Sequence, residues 1–291
     1  MLEKNELADF KEGVAYFKNG EYSKAKEYFK ERLQENPWHV NGWSALALVH
    51  FNEGNFAESV RVFDKAIGFY ARLKCPSVTG KPFEEQEREL VRFCKESRDA
   101  FLAQAYTMKA QALINMNRDD DAEKCVDLAL SIDPWHSYAL AWKADLLIHR
   151  GKEEEGLKSA RMALKYDPKN TIALFYKGKV LLDMRKPGEA LPCFERLVEL
   201  DPDEVNGWFY LGACCYELRK GGEALKYVSR VVEMCPTHKD GWYLKSLVHK
   251  ALGQKDEFEK CLYRYSQVPV DAPHGKATIA TIDRGNKQTI H

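Results

Sequence analysis

Prolines recur at one fixed interval in the second half of the chain, and this interval limits the possible folds more than any other feature. Pro134, Pro168, Pro202 and Pro236 follow one another at steps of 34 residues. A period of this length is typical of proteins built from stacked helical repeats, in which each repeat contacts only its neighbours. The spacing therefore predicts an all-α solenoid of repeated helix pairs.

Small residues recur at two further points of the repeat, numbered so that the proline is position 32. The residues at position 8 are Gly13, Ala47, Ala110, Ala144, Gly178, Gly212 and Ser246. Those at position 20 are Ala25, Ser59, Ala122, Gly156, Ala190 and Ala224, and in the last repeat Phe258 replaces the small residue. Two such points predict two helices, A and B, whose backbones approach closely there. Glycine at position 15 in four copies suits the left-handed residue that ends helix A.

One repeat closely resembles the tetratricopeptide repeat family. The residues that carry the resemblance are Trp208, Leu211, Gly212 and Ala224, with Pro202 and Pro236 as boundaries. The resemblance implies a right-handed superhelical solenoid of antiparallel helix pairs, with a concave groove lined by the A helices. It also implies a protein-binding scaffold rather than an enzyme.

The repeat pattern extends over most of the chain. Residues 1–268 are predicted to form the solenoid, with repeats at 6–39, 40–73, 103–136, 137–170, 171–204, 205–238 and 239–268. Residues 74–102 are an insertion after repeat 2. Its charged stretch predicts either an extra helix or an N-terminal extension of helix A of repeat 3. In either case, the segment is expected to pack on one edge of the solenoid or, alternatively, to narrow the groove or dock a partner. The non-helical tail, 269–291, is expected to be a disordered terminus or an extended strand lying in a groove.

Composition narrows the function classes. Forty-four basic residues balance 44 acidic ones, so the formal net charge is zero, which argues against a general nucleic-acid binder. The first residues are charged and lack an apolar core, so no secretory signal is expected. No run approaches the ~18 apolar residues of a membrane span. We therefore expect a cytoplasmic protein without a membrane partner.

Cysteines and histidines follow the repeat rather than any catalytic pattern. Cys125, Cys193 and Cys261 all occupy position 23, which predicts reduced cysteines with a packing role. The histidines recur at positions 34 and 11. No nucleophile elbow, phosphate-binding glycine loop or paired-carboxylate motif is present. The sequence therefore predicts no enzyme, no cofactor and no metal site.

The candidate binding residues come from the resemblance. In the family, positions 2, 5, 9, 12 and 13 of helix A face the concave groove. Carried over to this chain, the candidates are Asn41, Gln104, Gln111, Tyr138, Asp145, His149, Phe175, Lys179, Asn206, Phe209, Tyr216 and Tyr243. Amides in the middle and aromatic residues towards the C-terminus would suit an extended or helical segment of a partner. The alternative is that several of these aromatic residues only pack between repeats.

One subtype of the family binds chaperone C-termini through a two-carboxylate clamp. Its pattern needs lysine and asparagine at positions 5 and 9 of one repeat, where repeat 1 has Phe10 and Val14 and repeat 5 has Phe175 and Lys179. No three consecutive repeats carry the clamp, so we expect another kind of protein partner. The leading hypothesis is an interaction scaffold. The alternative is a structural subunit that self-associates, as a homo-oligomer, through its end caps, insertion or tail.

Overall fold

A computed structural model describes residues 11–35, 40–72 and 85–269, and within these ranges all regular structure is α-helical. The helices are α1 (Lys11–Lys18), α2 (Tyr22–Glu35), α3 (Val40–Asn52), α4 (Phe56–Arg72), α5 (Glu85–Asn115), α6 (Asp119–Ile132), α7 (Ser137–His149), α8 (Glu153–Tyr166), α9 (Thr171–Asp183), α10 (Pro187–Leu200), α11 (Val205–Glu217), α12 (Gly221–Met234), α13 (Lys239–Ala251) and α14 (Lys255–Gln267). The predictions for Phe10, 74–84 and 270–291 fall outside the described residues, as do those for the side chains of 40–41, 72 and 85–95.

Odd-numbered helices are the A helices and even-numbered helices the B helices of seven repeats, so the predicted all-α solenoid fold is confirmed. None of the helices in the described ranges is long and apolar enough to cross a membrane.

The turn between helices A and B has the same backbone conformation in every repeat. The four glycines at position 15 have φ between 73° and 75°, as predicted. In the other three repeats Asn117, Arg185 and Arg219 occupy this position with φ of 55–61°. A left-handed residue is therefore required in all seven turns, and three repeats adopt it without glycine.

In repeats 1 and 5, aromatic rings from helix B explain the glycine at position 8. A Cβ atom on Gly178 would lie 2.7 Å from Cζ of Phe194. A Cβ atom on Gly13 would lie 2.6 Å from Cδ1 of Tyr28. Both distances are shorter than a van der Waals contact, so only glycine fits at these two points.

The insertion continues into repeat 3. Helix α5 runs without interruption for 31 residues, from Glu85 to Asn115. Of the two sequence-based alternatives, the N-terminal extension of helix A of repeat 3 is the one observed.

The chain divides into two compact units, residues 1–146 and residues 147–291. The core of the first unit is centred on Phe29, Phe63 and Val49, which are almost fully buried. The core of the second contains Phe194, Phe209 and Leu181, buried to the same degree. Burial of such side chains is the main term that stabilises each unit.

Position 34 caps the helix that follows it. The Nδ1 atom of His238 accepts a hydrogen bond from the Gly241 amide at 2.9 Å, and Asn170 Oδ1 accepts one from Ala173 N at 2.9 Å. An acceptor at this point satisfies an amide that has no partner within the helix. His136 and His238 therefore recur at position 34 because a residue at this position caps the following helix.

Candidate functional site

In the first unit, the candidate residues are mainly polar. Gln104 is exposed, Gln111 is half-buried and Tyr138 is 42% exposed, so all three remain accessible. His136 Nδ1 accepts from the Ala139 amide at 3.3 Å, which leaves Nε2 to donate to Gln104 Oε1 at 3.1 Å. The hydrogen bond from His136 holds the Gln104 side chain in place on helix α5.

In the second unit, the candidate face is aromatic. Phe175, Lys179, Tyr216 and Tyr243 are half-buried, and His149 is exposed. These residues occupy helix A positions on α7, α9, α11 and α13.

Two ring contacts and one ion pair order this aromatic face. The Phe175 ring lies 5.4 Å from that of Tyr210, edge to face, and the Tyr243 ring lies 5.4 Å from that of Tyr265. Arg185 and Glu217 form an ion pair at 3.6 Å. Packed rings that keep part of their surface exposed are suited to anchoring apolar side chains of a ligand.

Two candidate residues do not reach the surface. Phe209 is 1% exposed, because its ring packs 5.2 Å from Tyr210 on one side and 5.2 Å from the capping residue His238 on the other. Asp145 is also 1% exposed. For Phe209 the alternative of packing between repeats is therefore the one observed, and a direct ligand contact by either side chain would need the structure to open.

Tyr210, which the sequence analysis did not single out, is central to the face in the second unit. It is 4% exposed, its ring stacks on Phe194 at 5.3 Å, and its hydroxyl has no hydrogen-bond partner within the described structure. Burial raises the pKa of Tyr210 well above its usual value, and Asp183 and Asp240 raise it further. The hydroxyl therefore keeps its proton and remains a hydrogen-bond donor. In the sequence, the only indication of this role is that Tyr210 occupies position 6, next to the candidate position 5.

Asn206 lies one helical turn before Tyr210 on α11. Its Nδ2 atom donates to Glu204 Oε1 at 2.9 Å, but its buried Oδ1 atom has no partner among the described residues. Residues four apart lie on one face of a helix. The same face of α11 thus carries a donor and an acceptor that the described residues leave unsatisfied.

Three buried cysteines of this unit have raised pKa values. Burial raises the pKa of Cys215 to about 11, and burial also raises those of Cys193 and Cys214. Thiols with raised pKa values are poor nucleophiles and poor metal ligands. In the described ranges there is no cluster of three or more histidine, cysteine or carboxylate side chains that could hold a metal ion.

Comparison with known folds supports the repeat assignment. The chain resembles YrrB, described as a tetratricopeptide repeat protein with an unusual peptide-binding site: identity is 23%, the match covers 62% of this chain and 92% of that one, and the TM-score is 0.50. A repeat protein from Parabacteroides merdae is 12% identical over 92% and 94% of the two chains, with a TM-score of 0.56. Pseudomonas aeruginosa pilF is 16% identical over 80% and 93%, with a TM-score of 0.59. At these identities the similarity shows the fold alone.

Sequence models identify the family directly. One tetratricopeptide repeat model matches residues 10–72 and 175–239, and a second matches residues 103–134. Among curated proteins, none matches this chain. Since the two repeat models together cover more than half of the chain, the protein belongs to the tetratricopeptide repeat family.

Proposed function

We propose that this protein is an interaction scaffold that binds an extended segment of a partner protein on the A-helix face of its second unit. The observation that carries the proposal is a pair of polar atoms on α11 that the described residues leave unsatisfied, the Tyr210 hydroxyl and Asn206 Oδ1. Both atoms are buried in the unbound protein, so the proposal includes a local opening of this face when the partner binds. The half-buried rings of Phe175, Tyr216 and Tyr243 would supply the apolar part of the surface.

The two unsatisfied polar atoms on α11 lower the stability of the unbound protein. A buried hydroxyl or amide without a partner costs about 1–3 kcal/mol of stability, so such groups call for an explanation. Because Tyr210 is a donor and Asn206 Oδ1 is an acceptor, they complement the C=O and N–H groups of a peptide main chain. An extended segment presents both groups along its length, whereas a helix has already paired most of them internally.

The thiols support a reducing location for this scaffold. Six described cysteines are free, and five of them are buried. Free thiols persist where the environment is reducing, as in the cytoplasm. We include a cytoplasmic location in the proposal on this ground.

The test begins with peptides selected from a random display library against the full chain. The affinity of a selected peptide is then measured by fluorescence anisotropy for wild type, Tyr210→Phe and Asn206→Ala. Glu233→Gln, an exposed change on helix B of the same repeat, is the matched control. Each face variant should weaken binding about tenfold, the effect of one lost hydrogen bond in a desolvated site.

The control should bind as wild type does. If the two face variants also bind as tightly as wild type, the A-helix face of the second unit is not the binding site. Circular dichroism of each variant separates loss of binding from loss of structure.

A further inference from the structure

Two open grooves occur at the same place in two different repeats, one in each unit. The repeat-2 groove, of about 510 Å³, has Trp43, His50, Glu58 and Lys65 in its lining. The repeat-7 groove, of about 770 Å³, has Trp242, His249, Glu257 and Arg264. In both grooves these residues occupy positions 4, 11, 19 and 26 of the repeat. Among the seven repeats, only these two have histidine at position 11.

The residue at position 23 differs between repeat 6 and the two repeats that contain the grooves. In repeat 6 this residue is Tyr227, and its ring lies 5.9 Å from that of Trp208, at 34°. In repeats 2 and 7 the equivalent residues are Val62 and Cys261, which have no ring, and in repeat 2 the Trp43 ring stacks on Phe69 instead, at 5.6 Å. In these two repeats position 23 therefore places no aromatic ring in the groove.

Both grooves lie on the side of helix A that faces away from the candidate peptide-binding positions. Positions 4, 7 and 11 are about 200° around the helix from positions 2, 5 and 9, at about 100° per residue. Occupation of either groove therefore would not compete directly with the proposed binding of an extended segment.

The repeat-2 groove has an apolar floor and a cationic rim. Leu33, Leu46 and Val62 are 4–6% exposed and line the groove together with Trp43. The rim has three lysines and one glutamate.

Ion pairs inside the protein leave part of this rim charge available. Lys26 is held by Glu53 at 2.7 and 2.8 Å, and Glu58 pairs with Arg61 outside the groove. In the described part of the chain Lys30 and Lys65 have no ion pair and are exposed. Two cations beside an apolar floor are complementary to carboxylates that flank an apolar side chain.

The repeat-7 groove repeats this arrangement with a smaller charge excess. Lys260 pairs with Glu257 at 2.7 Å, and Lys245 lies 5.7 Å from the Trp242 ring centroid. Arg264 is exposed, and Glu259 is the second carboxylate in the lining. One net positive charge remains, so a weaker site of the same kind is expected.

We propose that the two grooves are docking sites for acidic amphipathic segments of a partner protein. An apolar side chain of the segment enters beside the tryptophan, and its flanking carboxylates reach the rim cations. The repeat-2 groove is the tighter site because of its larger charge excess.

The test uses the full chain and a labelled peptide of about twelve residues, with leucines at helical spacing flanked by glutamates. A second peptide has glutamine in place of each glutamate. Titration calorimetry of wild type should show two peptides bound per chain, with affinities that fall as salt is added. Val62→Tyr and Cys261→Tyr close one groove each, because they copy the Tyr227 arrangement. Each should remove one site, and the double variant should remove both.

Charge reversal provides a second pair of variants in case the tyrosines disturb folding. Lys30→Glu with Lys65→Glu should weaken the tighter site about tenfold. The matched control, Lys18→Glu with Lys124→Glu, changes exposed lysines outside the grooves and should leave both sites intact.

Several outcomes would overturn the proposal. The glutamate peptide could fail to bind, or the glutamine peptide could bind equally well, which would remove charge complementarity. Two sites could also persist in the double tyrosine variant. Binding would then be elsewhere, for example at the groove lined by Lys158, Arg161, Lys165 and Lys186, which is cationic but has no aromatic ring in its lining.

Discussion

The two units place different chemistry at equivalent positions of the same repeat. At position 5 of helix A, the first unit has Thr107, whose hydroxyl donates to its own helix at Ala103 O, 2.8 Å away. The second unit has Phe175, Phe209 and Tyr243 at this position. Thr107 and Phe209 are both 1% exposed, so position 5 packs in both units but with side chains of different size and polarity. The repeat framework therefore sets where a ligand can lie, and the side chains of each unit set which kind of ligand can bind there.

Both units contain buried groups whose pKa values are shifted. In the first unit, burial lowers the pKa values of His50 and His136. In the second, burial raises those of Tyr210 and Cys215. The cause is the same in each case, because burial disfavours the charged form, which is the protonated form of histidine and the deprotonated form of tyrosine and cysteine.

The largest expected effect concerns the close approach of α9 and α10. Gly178→Ala would force a Cβ atom to 2.7 Å from the Phe194 ring, which stacks on Tyr210. We expect a loss of about 1–3 kcal/mol in the free energy of unfolding, measured by urea denaturation. Gly212→Ala is the control at the same repeat position, since its nearest neighbour would be 3.4 Å away. If both variants were equally stable, the ring contact would not explain the glycine.

Removal of the Tyr210 hydroxyl should raise the stability of the protein while it weakens binding of the peptide. Tyr210→Phe deletes a buried donor that has no partner in the described structure, so the free energy of unfolding should rise by about 1 kcal/mol. Phe175→Tyr, a ring change on the neighbouring helix, is the comparison variant. A loss of stability in Tyr210→Phe would show that the hydroxyl is already satisfied within the protein and would contradict its proposed role as a donor to a ligand.

Acidification should affect the first unit through its histidines. The folded-state pKa values of His50 and His136 lie below the ordinary 6.5, so the unfolded chain binds more protons at mildly acidic pH. Their contribution to stability is therefore complete above about pH 6.5 and declines as the pH falls below it. Urea midpoints measured from pH 7.5 to pH 5 should fall less steeply in a His50→Gln, His136→Gln variant. An unchanged slope would mean that other groups control the acid response.

The smallest expected effect concerns the turn between α11 and α12. Arg219 has φ of 61°, which glycine adopts without strain. Arg219→Gly should raise the free energy of unfolding by up to about 1 kcal/mol, since relief of strain exceeds the added entropy of the unfolded chain. Gly54→Ala, at the same position of repeat 2, should lower it by a similar amount. A destabilised Arg219→Gly variant would indicate that the arginine side chain contributes more than its backbone strain costs.

Much of the fold was predictable because its signals are local in sequence. The 34-residue period, the small residues at positions 8 and 20 and the four glycines at position 15 each report a backbone requirement within one repeat. The candidate site was less predictable. The helix A positions indicated which face to consider, but they missed Tyr210 and included Phe209, because exposure depends on how α11 packs against α10 and the His238 cap.

The sequence by itself determined the family, the helix pairs and the turn conformation, since periodic spacing encodes contacts between residues that are close along the chain. Only the tertiary structure decided that α5 is one continuous helix, that the Tyr210 hydroxyl is buried without a partner among the described residues, and that Trp43 and Trp242 line open grooves. Each of these depends on side-chain volume and packing between successive helices. Such interactions have no fixed spacing in the sequence from which they could be read.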